Sequence, residues 1–250
     1  MKAFALESAD RPASLIELPK PAAGEADVLI AVKAASVNGI DIYEAMGALA
    51  AMMPHDYPTV VGRDVAGTVE SVGPAAAGFE AGDDVFGFIP TVPPLKNGTF
   101  AEYVAGGSGL VLAHQPASLS YVDAAALPLA GSAALDLLDA IAAKSGDVVL
   151  IVGATGGVGS FAVQLAAQRG LTVIATALPD QEDFVRQLGA AEAIDHSAGS
   201  VSGRHTAREV HSYPGIGTVQ GPDSEVCVHI GSGGRPGTDR PEPNRRHRGP

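Results

Sequence analysis

The chain has 250 residues, with 16 Lys and Arg against 28 Asp and Glu, a net charge of −12, 46% hydrophobic residues, one Cys and no Trp. That length suits one large or two modest domains, and the hydrophobic share is that of a globular protein. The negative charge argues against a protein that binds nucleic acid or an anionic membrane, and a single Cys excludes both a disulfide framework and a Cys-cluster metal site.

The N-terminus carries no pattern of a targeting signal. Met1–Leu15 includes Lys2, Glu7 and Asp10, and no apolar stretch follows a basic start. The longest apolar stretch, Ala124–Ala143, is interrupted by charged residues and predicts a partly buried helix rather than a membrane span. We therefore expect a cytoplasmic protein with no membrane partner.

Residues 1–120 predict a β-rich domain. Runs of Val, Ile, Ala and Thr alternate with Gly, Pro, Asn and Asp, as short strands joined by turns do. The spacing is irregular and shows no repeat, so we expect a small barrel or sandwich. The predicted strands are Asp27–Ser36, Asp64–Val72, Val85–Ile89 and Thr99–Val104.

Residues 121–197 change to alternating helix and strand. Tyr121–Ala143 is predicted to be helical, in two pieces divided near Pro128 and Gly131. Val148–Val152 is a continuous apolar run, typical of a strand covered on both faces. The elements that follow are a helix beginning near Val158, a strand Leu171–Thr176, a helix Asp180–Leu188 and a strand starting at Ala191–Ile194. This βαβαβ order predicts a parallel, doubly wound sheet.

A glycine-rich loop joins the first of these strands to its helix. Its sequence, Gly153–Gly159, matches G-x-G-x-x-G with Ala154 in the place of the first Gly. The second Gly lets the backbone approach a pyrophosphate, the third lets helix and strand pack closely, and the helix start offers free N–H groups. The predicted cofactor-binding residues of this loop are Ala154, Thr155, Gly156, Gly157, Val158 and Gly159.

The end of the second strand bears on the choice of cofactor. An acid there would bind the 2′-hydroxyl of NAD and repel a 2′-phosphate, but the chain has Thr176 and Ala177. The sequence therefore favours NADP(H) over NAD(H), with Thr176 near the cofactor. Asp180 and Glu182 follow closely and weaken that preference.

These motifs together resemble the zinc-independent quinone oxidoreductases of the medium-chain dehydrogenase/reductase superfamily. The resemblance covers about residues 1–197 and rests on the glycine loop with four further motifs: AASVNGIDIY (34–43), VGRDVAG (61–67), GDDV (82–85) and GTFAEYV (98–104). It implies a GroES-like catalytic domain over 1–120, a partial Rossmann domain over 121–197, and a cofactor cleft between them. The implied reaction is hydride transfer from NADPH to a quinone or activated alkene, a small-molecule substrate.

The resemblance also implies site residues. Zinc-dependent relatives have a Cys near position 38 and Gly-His-Glu near 62–64; this chain has Asn38 and Gly62-Arg63-Asp64, so we expect neither zinc nor another metal. Asn38, Asp41 and Tyr43 are the expected catalytic residues. Tyr43 is the candidate donor to the acceptor oxygen, or a packed aromatic, and Asp41 holds a loop by hydrogen bonds. Ser132, beside the Ala133 that stands where the family commonly has Thr, is a candidate hydroxyl donor to the cofactor.

Residues 198–250 break the pattern. They contain seven Leu, Ile, Val and Phe in 53 residues and a charge of +2, against −14 for residues 1–197. We expect a tail of low order, and we hypothesise a reading-frame shift near residues 198–204. The fourth Rossmann strand would then be missing, which leaves a second possibility: a non-catalytic remnant, inert or nucleotide-binding only, with weak cofactor affinity and little turnover. A homodimer is compatible with the resemblance but doubtful without those strands.

Overall fold

The computed structural model describes residues 1–106, 110–195 and 197, together with the backbone of two strands at 218–220 and 227–231. The chain divides into two compact units, Met1–Ala133 and Ala134–Pro250. The sequence placed this division at 120/121. The difference arises because the helix after residue 120 packs with the first unit, where Ala124 and Ala125 are buried against Ala66.

The first unit is built on a five-stranded antiparallel sheet with the order β7-β3-β5-β6-β8. Its strands are β3 (Val28–Ala34), β5 (Asp64–Val72), β6 (Asp84–Phe88), β7 (Tyr103–Gly106) and β8 (Val111–His114). Alternate apolar residues of these strands point to one side and form its core: Val28, Ile30, Val65, Val69, Val85 and Val104. The predicted β-rich domain is confirmed, with β8 as an additional strand.

A second sheet of the same unit has the order β2-β1-β4. It contains β1 (Lys2–Leu6), β2 (Ser14–Glu17) and β4 (Thr59–Val60), all antiparallel. The sequence did not predict these strands, because they are short and β4 is far from β1 along the chain.

Helical segments follow the strands. They are α1 (Gly39–Ala45), α2 (Tyr121–Ala125), α3 (Pro128–Ile141) and a 3-10 turn at Ala48–Ala51. Two of them carry predicted site residues: α1 carries Asp41 and Tyr43, and α3 carries Ser132. The predicted break near Pro128 separates α2 from α3, whereas Gly131 lies inside α3. Within the described ranges, no helix is long and apolar enough to span a bilayer.

The second unit contains the predicted parallel sheet. β9 (Val148–Val152), β10 (Thr172–Ala177) and β11 (Glu192–Asp195) are parallel neighbours in the order β11-β10-β9. The helices between them are α4 (Gly157–Gln168) and α5 (Glu182–Gln187), the latter after a 3-10 turn at Pro179–Gln181. The βαβαβ prediction is confirmed.

Two strands lie within the predicted low-order tail, most of which is outside the described residues. β13 (Cys227–Gly231) pairs antiparallel with β9, and β12 (Thr218–Gln220) pairs antiparallel with β13. The missing fourth strand that the sequence predicts would leave β9 at an edge of the sheet. In the structure β13 borders it, and Val226, Val228 and Ile230 give this segment the alternating β-branched pattern that favours a strand.

Candidate functional site

The carboxylate of Asp64 joins three segments of the first unit. Asp64 is fully buried at the start of β5. Its Oδ2 accepts hydrogen bonds from Ser36 Oγ and from Asn38 Nδ2 (2.9 Å), and its Oδ1 accepts one from the Leu129 backbone N–H (2.8 Å). Burial raises the pKa of Asp64, while these three donors oppose the shift. Asp64 therefore holds the end of β3, the start of α1 and the start of α3 together.

Asn38 and Asp41 are hydrogen-bonded to each other. Asp41 Oδ2 accepts from the Asn38 backbone N–H (2.7 Å) and lies 3.3 Å from Asn38 Nδ2. This is a local cap at the start of α1, of the kind that satisfies a free helical N–H. Asp41 is 1% exposed, its Oδ1 has no hydrogen-bond partner, and burial raises the pKa of its carboxyl. The expected holding role of Asp41 agrees with this geometry.

Helix α1 is inverted: its acidic residues are buried, whereas Ile42 and Tyr43 are exposed. Glu44 is buried and accepts a 2.5 Å hydrogen bond from Nη2 of Arg63, which is 1% exposed. Burial raises the pKa of Glu44 and the Arg63 charge opposes the shift. Tyr43, by contrast, is 57% exposed, so the alternative of a packed aromatic is wrong.

Sequence reasoning assigned no site role to Ser36, Glu44 or the side chain of Arg63. The available signal for Arg63 was the charged pair Arg63-Asp64 within the otherwise mostly apolar run Thr59–Ala66. Ser132 was predicted to donate to the cofactor. In the structure its Oγ donates to the Leu129 carbonyl (3.2 Å), one turn earlier in α3.

The glycine loop of the second unit has the shape of an anion-binding turn. Gly153 has a φ of +74°, which favours glycine, and its carbonyl accepts from Gly156 N–H at 3.0 Å. The N-cap residue of α4 is Gly156, which has no side chain, so no side-chain hydrogen bond caps this helix. Gly156 and Gly157 are both exposed. The first turn of α4 therefore offers backbone N–H groups that no side chain of the cap occupies.

Close packing beneath the loop explains its third glycine and its threonine. A Cβ on Gly159 would lie 2.0 Å from the Gly153 carbonyl oxygen, so no other residue fits there without moving the backbone. Thr176 is 3% exposed, and its Oγ1 accepts from the Gly153 N–H at 3.0 Å. Thr176 thus supports the loop from the end of β10.

The first basic residue after the end of β10 is already engaged. Arg186 in α5 bonds Glu182 Oε1 through Nε (2.9 Å) and Nη2 (2.7 Å), and donates through Nη1 to the Ala191 carbonyl. Its charge is therefore balanced locally.

Comparison with known proteins places this geometry in a family. Residues 24–114 match the model "Alcohol dehydrogenase GroES-like domain". The mouse mitochondrial NAD(P)H oxidoreductase RTN4IP1 is 38% identical over an alignment of 192 residues, and the match covers 70% of this chain and 48% of that protein. The 2-methylene-furan-3-one reductase of Solanum lycopersicum is 39% identical over 178 residues, 69% of this chain and 45% of that protein.

Solved structures agree. The quinone oxidoreductase of Thermus thermophilus, described with its NADPH complex, matches with a TM-score of 0.67 and 32% identity over 83% of this chain and 63% of that chain. The chain spans about half the length of the curated relatives it matches. The chain belongs to the quinone oxidoreductase-like proteins of the medium-chain dehydrogenase/reductase superfamily.

Proposed function

We propose that this protein is an NADPH-dependent oxidoreductase that reduces a quinone or an activated alkene. The observation that carries the proposal is the glycine loop with its uncapped helix start, where the 2.0 Å approach at Gly159 leaves room for backbone alone. The loop Ala154–Gly159 would hold the pyrophosphate through its N–H groups. Thr176 and Ser132 would stand beside the cofactor as supports of backbone rather than as direct ligands, given their internal hydrogen bonds.

The bound cofactor would supply a hydride to the acceptor. The chain's own contribution is to orient the acceptor and provide a hydrogen-bond donor or proton to its oxygen. Tyr43 is our candidate for that donor, because it carries a hydroxyl and is 57% exposed on α1. Asn38 and Asp41 act as positioning residues that fix the start of α1.

The preference for NADPH over NADH is part of the proposal. The absence of an acid at Thr176 and Ala177 removes a repulsion of the 2′-phosphate. Arg186 is already paired with Glu182, so its positive charge is not free to bind that phosphate. We therefore expect a modest preference.

We also propose that the reaction needs no zinc. A guanidinium, always protonated, cannot ligate a metal, and Arg63 stands where zinc-dependent relatives have their His. Asn38 and Asp64 are engaged with each other at 2.9 Å. The proposal also includes a cytoplasmic location and a homodimer. The names of some relatives give mitochondrial or chloroplastic locations. Cell fractionation tests the location, and light scattering tests the homodimer.

A second candidate function is nucleotide binding without turnover. It is favoured by the antiparallel β13 beside β9, where the resemblance implies a parallel fourth strand.

Titration of the full chain with NADPH and with NADH, followed by cofactor fluorescence, separates these functions. Saturable NADPH binding and duroquinone reduction above about 1 s⁻¹, reduced in Tyr43→Phe, is the result we expect for the reductase. Binding without turnover supports the second candidate. Absence of binding to either nucleotide contradicts both.

A further inference from the structure

Three of the four methionines of the chain lie within eight residues, at positions 46, 52 and 53. Met46 follows the last residue of α1, and Met52 follows the 3-10 turn at Ala48–Ala51. These two side chains are 70% and 77% exposed, whereas Met53 is half-buried. Leu49, which lies between them in the sequence, is buried. The segment therefore buries one apolar side chain and leaves two methionines in contact with solvent.

The surface that residues 37–54 present to solvent is uncharged. The charged residues of this range are Asp41 and Glu44, and both are buried. Met46 lies one turn after Ile42, whose carbonyl accepts from the Met46 N–H at 3.0 Å, and three residues after Tyr43. Residues at these spacings are neighbours on a helix, and Ile42 and Tyr43 are each more than half exposed. Met46 therefore extends an apolar surface that includes the proposed donor.

An exposed thioether is open to oxidation by a hydroperoxide. One oxygen of the peroxide is transferred to Sδ: the O–O bond breaks, an S–O bond forms, the sulfur loses two electrons and hydrogen peroxide is reduced to water. The product, methionine sulfoxide, is polar. Methionine sulfoxide reductases reverse the change, since two thiols are oxidised to a disulfide while the oxygen leaves as water. Leucine would supply a similar apolar surface without this chemistry.

We propose that Met46 is a reversible oxidation site, at which a hydroperoxide makes the apolar surface beside Tyr43 polar and weakens the binding of an uncharged acceptor. Met52 is oxidised alongside it, because it is equally exposed. A sulfoxide must lose bound water when an apolar ring covers it, which costs free energy that a thioether does not lose. The oxidation is independent of the proposed function, whereas its effect on the acceptor rests on that function.

The first test follows the oxidation itself in the full chain. Labelling with ¹³C at the methionine methyl groups gives one NMR signal for each of the four methionines, and replacement of single methionines by leucine assigns them. During treatment with hydrogen peroxide, we expect the Met46 and Met52 signals to convert to sulfoxide signals before the signal of the half-buried Met53. Conversion of Met53 as fast as Met46 overturns the site, because exposure then does not select it.

The second test measures the affinity for duroquinone by equilibrium dialysis before and after peroxide treatment. Met52→Leu keeps Met46 as the exposed methionine of the segment, and we expect oxidation to raise its dissociation constant about three- to tenfold. Methionine sulfoxide reductases for both epimers, supplied with dithiothreitol, should restore the untreated value. Met46→Leu is the matched control, and peroxide should not change its affinity relative to its own untreated sample.

Three outcomes of the second test contradict the proposal at different points. A peroxide effect that persists in Met46→Leu belongs to another residue and overturns the assignment to Met46. A Met46 sulfoxide that leaves the affinity of Met52→Leu unchanged overturns the effect on the acceptor. An untreated chain that does not bind duroquinone contradicts the proposed function and removes that effect with it, while the order of oxidation still decides the modification site.

Discussion

Arg63 and Glu44 form an ion pair held away from water, with side chains exposed by 1% and 0%. Removing one partner leaves a buried charge without compensation, which costs roughly 3–5 kcal/mol. We expect Arg63→Met to lower the free energy of unfolding by about that amount. Urea denaturation followed by circular dichroism measures the change.

The double variant Arg63→Met, Glu44→Met is the informative companion. Because it removes both charges together and fills their space with apolar side chains, it should recover most of the stability lost in Arg63→Met. Lys20→Met, which breaks an exposed pair with Glu70, should change stability by less than about 1 kcal/mol. A double variant as unstable as the single one would contradict the view that the uncompensated charge is the cause.

The buried carboxyl of Asp41 makes stability depend on pH. Burial raises its pKa above the ordinary 3.8, so the folded chain keeps a proton that the unfolded chain has released. The free energy of unfolding therefore contains a contribution that falls as pH rises from near 4 through the raised pKa. We expect the stability of the unsubstituted chain relative to Asp41→Asn to decrease as pH rises above about 4.

Asp10 supplies the control with the opposite sign. It is exposed, and a hydrogen bond from Ser8 lowers the pKa of its carboxyl. Asp10→Asn should therefore show a small pH dependence in the other direction, or none, in the same denaturation series. Parallel pH profiles for Asp41→Asn and the unsubstituted chain would show that Asp41 ionises normally.

At the residue scale, the resemblance implied that Asp41 makes hydrogen bonds, but it named no partner for Asp41, Asp64 or Glu44. Asn38 and Asp41 are three residues apart, and their hydrogen bonds follow from the start of one helix. The partners of Asp64 come from residues 36, 38 and 129, and the partner of Glu44 is 19 residues away. Such pairs depend on how strands and helices assemble, which composition and spacing do not encode.

At the scale of elements, two glycines in helices test the cofactor loop. Gly159→Ala places a methyl group 2.0 Å from the Gly153 carbonyl, so the loop must move. We expect a destabilisation of about 1–3 kcal/mol or more and a loss of NADPH binding in the fluorescence titration. Gly131→Ala in α3 meets nothing within 4 Å, and should be neutral or stabilise by up to about 1 kcal/mol.

These two variants make the same chemical change, so their difference isolates the close approach at the loop. Unchanged nucleotide affinity in Gly159→Ala would mean that the loop does not hold the pyrophosphate. A Gly131→Ala variant that also loses affinity would point to a general effect of the added methyl group.

Helices and strands were predictable from the sequence where their hydrophobic periodicity matched their burial. β9, β10 and α4 follow apolar runs of the expected period, and the structure has them within one or two residues of the prediction. α1 was not predicted, because it buries Asp41 and Glu44 and exposes Ile42 and Tyr43, the reverse of the usual amphipathic pattern. An inverted helix of this kind is explained by its buried polar partners, which lie elsewhere in the chain.

For the molecule as a whole, β13 covers the edge of β9 in the sheet of the second unit. Each of the five residues of β9 has a Cα partner in β13, and the order β11-β10-β9-β13-β12 places β9 at the centre. A chain that stops at Ser197 would expose the β9 edge, an apolar VVLIV strand with free backbone groups, and such edges pair with other chains. We expect it to self-associate in size-exclusion chromatography with light scattering and to unfold at a lower urea concentration.

A chain that stops at Gly231 is the control for that experiment. It retains β12 and β13 while losing the last 19 residues, so it should match the full chain in size and unfolding midpoint. If the two truncated chains behave alike, β13 does not protect β9, and the edge predicted from the sequence is the better description. If only the shorter chain associates, the tail contributes a strand that the hydrophobic count of residues 198–250 did not anticipate, because a count ignores the alternation of Val226, Val228 and Ile230.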